Sequence, residues 1–205
     1  MPRSARPRRT QEERSALSDS RMLAAATTLI VEGGVPGLTL AAIAERAGYS
    51  RGLVSHRYGS KAGLLAQVHR STASNWVQAV QKGIGNKTGL DAILSIIDVM
   101  QTFLTDAPDE ISAMYMLRYS SIDPGVAYRE AVARTHRAQR RDVGQMIRDG
   151  QASGQIRPAV EHELLAELYC CMLDGICYRW ILRPDLSIDA LCEEARALTR
   201  QWLAA

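Results

Sequence analysis

Residues 39–65 read TLAAIAERAGYSRGLVSHRYGSKAGLL. Thr39, Ser50 and Ser60 each precede a helix-forming run, where a side-chain oxygen can accept from free N–H groups of the first turn. Gly48 and Gly59 follow the first two runs, where a left-handed residue ends a helix cheaply. This punctuation predicts helices over 40–47 and 51–58 and a third from 61 onward. Ile43, Ala44 and Ala47 form the inner face of the first, and Ala44 is small where two helices must cross closely. Val54 packs the second helix back. Gly48 supplies the tight turn between them, which needs positive φ. The pattern is a helix-turn-helix. Its second helix is polar outward, with Ser50, Arg51, Ser55, His56 and Arg57, and such a helix suits a DNA major groove.

On the N-terminal side, Leu23, Ala26 and Ile30 repeat at helical spacing. Ser18 or Ser20 is the expected cap, and Gly33-Gly34 the stop. Residues 1–17 hold Arg3, Arg6, Arg8, Arg9 and Arg14 with two prolines and no apolar cluster; they read as a disordered basic arm. On the C-terminal side, the helix from Lys61 runs to about Gln81, and GIGNKT at 83–88 breaks the chain. Further helices are expected over about 89–105, 108–119, 123–149, 161–182 and 189–203. Asp123-Pro124 opens the third of these, since Pro suits a first helical turn. The result is an all-α chain of about nine helices, with a three-helix domain over 18–65 joined to a larger helical domain over 66–205.

Composition agrees. Of 205 residues, 46% are hydrophobic and 23% charged, near the globular average. No stretch approaches the ~20 apolar residues of a membrane span. The basic N-terminus has no apolar run behind it and does not read as a secretory signal. Cys170, Cys171, Cys177 and Cys192 lie in apolar helical sequence without zinc-type spacing, which points to a reduced, cytoplasmic setting. Residues 1–70 carry 11 Lys and Arg against 5 Asp and Glu, whereas residues 71–205 carry 14 against 17. A basic head on a mildly acidic body suggests a polyanion-binding module joined to something else.

The extended string resembles the TetR family of transcriptional repressors, whose N-terminal domain follows T-x-x-x-I-A-x-x-A-G-[VY]-S-x-G-x-[LIVF]-Y-x-[HY]-F-x-[SN]-K-x-x-L. The matches are Thr39, Ile43, Ala44, Ala47, Gly48, Tyr49, Ser50, Gly52, Val54, Ser60, Lys61 and Leu64. The sequence departs at Ser55, where the family usually has Tyr, at Arg57, usually His or Tyr, and at Tyr58, usually Phe. The resemblance implies DNA contacts from Thr39, Ser50, Arg51, Gly52, Ser55, His56, Arg57, Tyr58 and Lys61. A guanine edge and a phosphate are alternative partners for Arg51. Lys61 looks like the family's phosphate contact. With Ser55 in place of the family's tyrosine, His56 and Arg57 are the candidates to take over that side chain's role on DNA. The arm would reach a neighbouring groove or backbone.

Beyond residue 65 the resemblance is loose, and GQASGQIRP and Leu173-Asp174-Gly175-Ile176 look like connections common in the family's C-terminal domain. It implies a homodimer that binds a palindromic operator and is released by a small, mostly apolar effector. Leu191, Ala195, Leu198 and Trp202 form one apolar stripe. Met172, Ile176 and Trp180 belong to another, with Leu165 and Tyr169. These two stripes resemble the family's dimer interface. Effector-pocket candidates are Trp76, Met100, Phe103, Met114, Tyr115, Arg118, Tyr119, His136, Tyr169 and Cys170, most of them expected to be ordinary core. Arg118 would meet either a ligand acid or a nearby carboxylate such as Asp142 or Asp174. Met100, Met114, Met116, Met146 and Met172 suit an adaptable apolar pocket.

Catalytic motifs are absent: no G-x-S-x-G, G-x-G-x-x-G, P-loop or H-E-x-x-H occurs. The four histidines are scattered, so neither an enzyme, a cofactor nor a metal is expected. Two other readings remain open at this point: a cysteine-based redox switch on the same DNA module, with four thiols that look buried, and a helical interaction protein that has lost DNA binding.

Overall fold

A computed structural model describes residues 10–205, so positions 1–9 of the expected arm lie outside the described residues. The rest of the arm, 10–17, is not disordered. Helix α1 spans Gln11–Gly37 and is capped by Thr10 rather than by Ser18 or Ser20. Glu13 N–H donates to Thr10 Oγ1 at 3.1 Å, and Thr10 N–H donates to Glu13 Oε2 at 2.9 Å. This reciprocal box satisfies two first-turn donors at once. Ser18 sits buried within the helix, its hydroxyl donating to the Ser15 carbonyl at 2.8 Å. Gly34, at φ 74° and ψ 167°, kinks the helix where the sequence stop was expected.

Helices α2 (Leu40–Ala47), α3 (Arg51–Tyr58) and α4 (Lys61–Ile84) have the three expected caps. Thr39, Ser50 and Ser60 accept from the backbone three residues on at 3.1, 3.2 and 3.1 Å. Met22, Ala26, Ile30, Ile43, Ala44, Val54, Leu64 and Val68 close around one another as a small core. Arg46 clamps α2 to α1 through both oxygens of Glu32, at 3.0 and 2.7 Å. Gly48 holds φ 74° and ψ 34°, and a Cβ built on it would meet nothing within 4 Å. Any penalty for a side chain there is therefore backbone strain alone. Gly48→Ala is expected to cost about 1–2 kcal/mol, read as a lower urea midpoint. Gly48→Asn, which tolerates this conformation better, should cost less.

The larger body comprises α5 (Gly89–Asp106), α6 (Pro108–Ser120), α7 (Arg129–Ala152), α8 (His162–Leu182) and α9 (Ile188–Leu203). Asp123-Pro124 opens no helix. Asp123 Oδ1 instead accepts from Gly125 N–H at 2.8 Å, and α7 starts only at Arg129. An aspartate bonding its own backbone offers the chain a turn in place of a helical start. Ile156 pairs with Ala204 in a single antiparallel bridge. Among the described residues, no helix is long and apolar enough to cross a membrane.

A second core fills the body, built on Ile93, Ile97, Met100, Leu104, Ile147 and Tyr169. Ala113 and Leu117 of α6, with Tyr128 and Val132, pack into the first core instead. The seam between head and body is thus apolar and continuous, and α1 rests on α6. Helix α4 runs through both regions, ~36 Å for its 24 residues at ~1.5 Å each.

Candidate nucleic-acid interface and effector cavity

The candidate DNA contacts fall at the capped N-terminal ends of α2, α3 and α4 and along α3. Thr39, Ser50, Arg51, Gly52 and His56 are exposed there, while Ser55 and Lys61 are half-buried. Lys61 Nζ donates to the Pro36 carbonyl at 2.8 Å, tying the start of α4 to the last turn of α1. Arg57 differs from expectation. Its guanidinium turns onto α1, donating to Ser15 Oγ at 2.8 Å and lying 3.2 Å from Asp19. The carboxylate one turn down α1 draws it off the outer face of α3. Tyr58 packs its ring beside the first core, and burial together with the Asp19 charge pushes its phenol up to about 12. Among the described residues, Arg51 and His56 are the exposed cation and imidazole of α3 with no side-chain partner.

A cavity of about 270 Å³ lies in the body between α4, α5, α6, α7 and α8. Of the sequence candidates, Trp76, Met100, Met114, Tyr115, Arg118 and Cys170 line it. Four do not. Phe103 stands behind Trp76, edge to face at 5.7 Å between ring centres. Tyr169 is core, its hydroxyl donating to the Ile93 carbonyl at 2.6 Å. Tyr119 faces outward against Tyr178, with ring centres 4.9 Å apart. His136 lies beside Asp174, with Nδ1 3.8 Å from Oδ2. The sequence reading missed Val77, Val80, Ile84, Ile96, Ile111, Val143 and Leu173, which also form the wall. For Val77, Val80 and Ile84 the signal was a second apolar row on α4, and the other four are single apolar positions of α5, α6, α7 and α8, all indistinguishable in sequence from core. Met146 joins Met100 and Met114 in the lining, whereas Met116 and Met172 do not.

The lining is mostly apolar, with Gln81, Gln139 and Asp142 among its polar members, and one charged node is set into it. Arg118 Nη1 donates to Asp174 Oδ1 at 2.9 Å, and Tyr115 Oη donates to the same oxygen at 2.6 Å. Of the two carboxylates anticipated for Arg118, Asp174 is the partner. Asp142 stands at the rim, its side chain 64% exposed, 3.5 Å from Arg141. Arg118 is only 7% exposed, and its Nε and Nη2 have no partner among the described residues.

His69 of α4 is buried beside this node. Thr135 Oγ1 donates to the Ala131 carbonyl and so is left to accept from His69 Nε2–H, at 3.2 Å. That assigns the tautomer and leaves Nδ1 bare and unpartnered. Burial, then the positive charges of Arg118 and His136, pull the His69 imidazole down to about 4. Unfolded, the ring takes a proton near its ordinary 6.5; folded, it resists. Its stabilising effect is complete above pH 6.5 and is lost as the pH falls towards 4. Stability is therefore expected to fall between pH 6.5 and 5, by up to ~1.4 kcal/mol per unit. Urea unfolding at stepped pH checks this, and His69→Gln should flatten most of that slope.

The cysteines give a mixed result. Burial pushes Cys170 and Cys177 up to about 12 and Cys192 to about 11. Cys171 is exposed, which corrects the expectation of four buried thiols. Thiols held protonated are poor nucleophiles, so those around the cavity are unsuited to a redox switch. Among the described residues, no three His, Cys, Asp or Glu side chains gather as a metal-binding group.

The last two helices leave apolar surface uncovered, but on a different face from the expected one. Ala195 is buried in the protomer's own core, and Met172, Ile176 and Trp180 pack partly against that core. Leu191, Leu198 and Trp202 are half-buried. The exposed stripe is Leu164, Leu168, Cys171, Gly175, Tyr178 and Leu182, with Leu164 62% and Leu182 61% exposed. Its spacing alternates four and three residues, the period of a helix–helix seam.

Residues 22–68 match the profile described as "Bacterial regulatory proteins, tetR family". The HTH-type transcriptional regulator BetI of Burkholderia ambifaria is 38% identical over 66 residues, which is 32% of this chain and 34% of BetI. The match thus spans about a third of the length of that curated relative. Over the whole architecture, the chain superposes on the fatty acid degradation regulator FadR of Bacillus halodurans with a TM-score of 0.78 at 13% identity, covering 89% of this chain and 94% of FadR. It also superposes on a protein of Saccharomonospora viridis described as a transcriptional regulator and solved in complex with choline, with a TM-score of 0.81 at 16% identity, covering 93% and 99%. At those identities the superpositions establish the fold, and the likeness in sequence lies in the N-terminal segment: residues 22–68, which hold the helix-turn-helix, are similar to the tetR family of bacterial regulatory proteins.

Proposed function

We propose that the protein is a ligand-responsive transcriptional repressor that binds a palindromic operator as a homodimer. The observation that carries this reading is α4. It begins at Ser60 and Lys61 on the polar face of the head and, further along, presents Trp76, Val80 and Ile84 to the cavity. A rigid helix that touches both places converts a change in the cavity into a tilt of the head.

In the dimer, the exposed stripe of α8 meets its symmetry mate with α9 beside it. Two α3 helices then face successive major grooves ~34–36 Å apart, or a multiple of that. Arg51 and His56 reach base edges or phosphates, and the capped N-terminal ends of α2, α3 and α4 face the backbone. Lys61 contacts phosphate after giving up the Pro36 carbonyl. The sequence of positions 1–9 adds Arg3, Arg6, Arg8 and Arg9 to the charge available for DNA. Effector binding favours the dimer whose heads are misplaced, with a coupling of ~1–3 kcal/mol.

Fluorescence anisotropy on the DNA upstream of the protein's own coding sequence, against scrambled DNA across a salt series, tests this. Sequence-dependent binding should survive physiological salt. Arg51→Ala should relax discrimination, and Lys61→Ala should weaken all sequences alike. Equal, weak binding to both DNAs that vanishes with salt would count against a specific repressor.

A further inference from the structure

The two unpartnered donors of Arg118 lie on one edge of its guanidinium. Asp174 occupies Nη1, on the opposite side, and the Tyr115 ring covers one face with its centre 5.1 Å from Cζ. Nε–H and Nη2–H are parallel, and together they form the fork that accepts a carboxylate through both oxygens. A buried donor without an acceptor is costly, and here two such donors belong to one side chain that is itself 93% buried, at the wall of an apolar cavity. We propose that the effector is a small apolar carboxylic acid, its carboxylate held bidentately by Arg118 and its body enclosed by Trp76, Ile84, Met100, Met114 and Met146.

Charge and size are consistent. The guanidinium then bridges two carboxylates, Asp174 on Nη1 and the ligand on the Nε–Nη2 edge. Tyr115 O–H, already donating to Asp174 Oδ1, takes up part of that negative charge. Asp142 stays at the solvated rim beside Arg141 and does not oppose the ligand within. A cavity of about 150 Å³ holds benzene, with its six heavy atoms. On that scale, the 270 Å³ here holds about eleven heavy atoms. Hydrocinnamate and octanoate are acids of that size. The methionines let one cavity accept either an aryl or an alkyl body.

This inference rests on the reading of the cavity as an effector site, and its test separates the two. Binding is measured by calorimetry on the full-length protein without DNA, using hydrocinnamate and octanoate. Hydrocinnamyl alcohol, octanol and octylamine serve as isosteres, and choline as a compact cation. Saturable binding of the acids is expected, with the alcohols and the amine weaker by roughly 10- to 100-fold, the range for hydrogen bonds to a charged group. Arg118→Gln should lose the preference for acids while still binding the alcohols. Asp174 is one-third exposed and can be hydrated in that variant, and the wild-type isostere series gives the same answer without any substitution. Equal binding of acids and alcohols, preference for the amine or choline, or no saturable binding of either acid would overturn the proposal. Each acid is then added to the protein on its operator. Acids that bind at Arg118 and leave operator affinity unchanged would sink the effector role while the acid site stands. Loss of operator binding itself is scored separately, without ligand.

Discussion

Replacing Leu168 by glutamate is expected to leave a folded monomer that binds a palindromic operator at least a hundredfold more weakly than the parent. Leu168 lies in the uncovered stripe of α8, one turn on from Leu164, and is 49% exposed in the protomer. A carboxylate there costs the protomer little, because water reaches it. In a dimer built on that stripe, the same carboxylate would be buried against apolar side chains, where an unpaired charge is prohibitive. The DNA effect follows from divalency. Two linked reading heads gain roughly 10²–10⁴ in avidity over one, with no new contact. Sedimentation velocity reads the mass, anisotropy reads the affinity, and far-ultraviolet dichroism confirms that the helices persist. A dimer that survives Leu168→Glu would rule out this face as the interface. Ala195→Glu makes the contrast. Ala195 is 3% exposed in the protomer itself, so the protein should unfold rather than dissociate.

Asp174→Leu is the second substitution with a large expected effect. Asp174 Oδ1 is the single hydrogen-bond acceptor for both Arg118 Nη1 and Tyr115 Oη. Removing it leaves a guanidinium that is 7% exposed with no acceptor on any nitrogen. Breaking a buried pair by deleting one partner costs ~3–5 kcal/mol. Asp174 is 34% exposed, so water enters the vacated space and the loss should fall to about 2–3 kcal/mol. For a chain of this size that lowers Tm by roughly 4–12 °C. Arg118→Leu combined with Asp174→Leu should recover most of the loss, since no charge is then stranded. Thermal unfolding of the three variants checks this. A double variant no more stable than Asp174→Leu alone would show that the pair is not the source of the effect.

The head of this protein is legible because its signals are local. Thr39, Ser50 and Ser60 cap helices by bonding N–H groups three residues on, and Gly48 and Gly59 end helices by their own φ. No distant residue has to be known to read them. The capping box of Thr10 and Glu13 is equally local, yet the prolines and arginines just before it give the segment a disordered composition that masks it. Asp123-Pro124 misleads in the opposite direction, where the Asx turn onto Gly125 outweighs a proline placed like a helix start.

The sites of the body depend on facing. Helix α8 is apolar nearly all round, so its sequence admits several buried faces. Packing against α5, α6, α7 and α9 decided that Tyr169 and Cys177 point inward, that Cys170 and Leu173 wall the cavity, and that Leu164, Leu168 and Leu182 remain outside. Arg57 turned onto α1 because Asp19 lies within reach 38 residues away. Arg118 found Asp174 across 56 residues, and its unused edge became visible only once the cavity closed around it. By itself, the sequence determined the all-helical architecture, both ends of α2 and α3, the start of α4 and the helix-turn-helix motif, since these are set by interactions within a few residues. Only the tertiary structure decided which apolar stripe is covered, which polar group is stranded and where a cavity forms, since each of these depends on surfaces supplied by helices far apart in the chain.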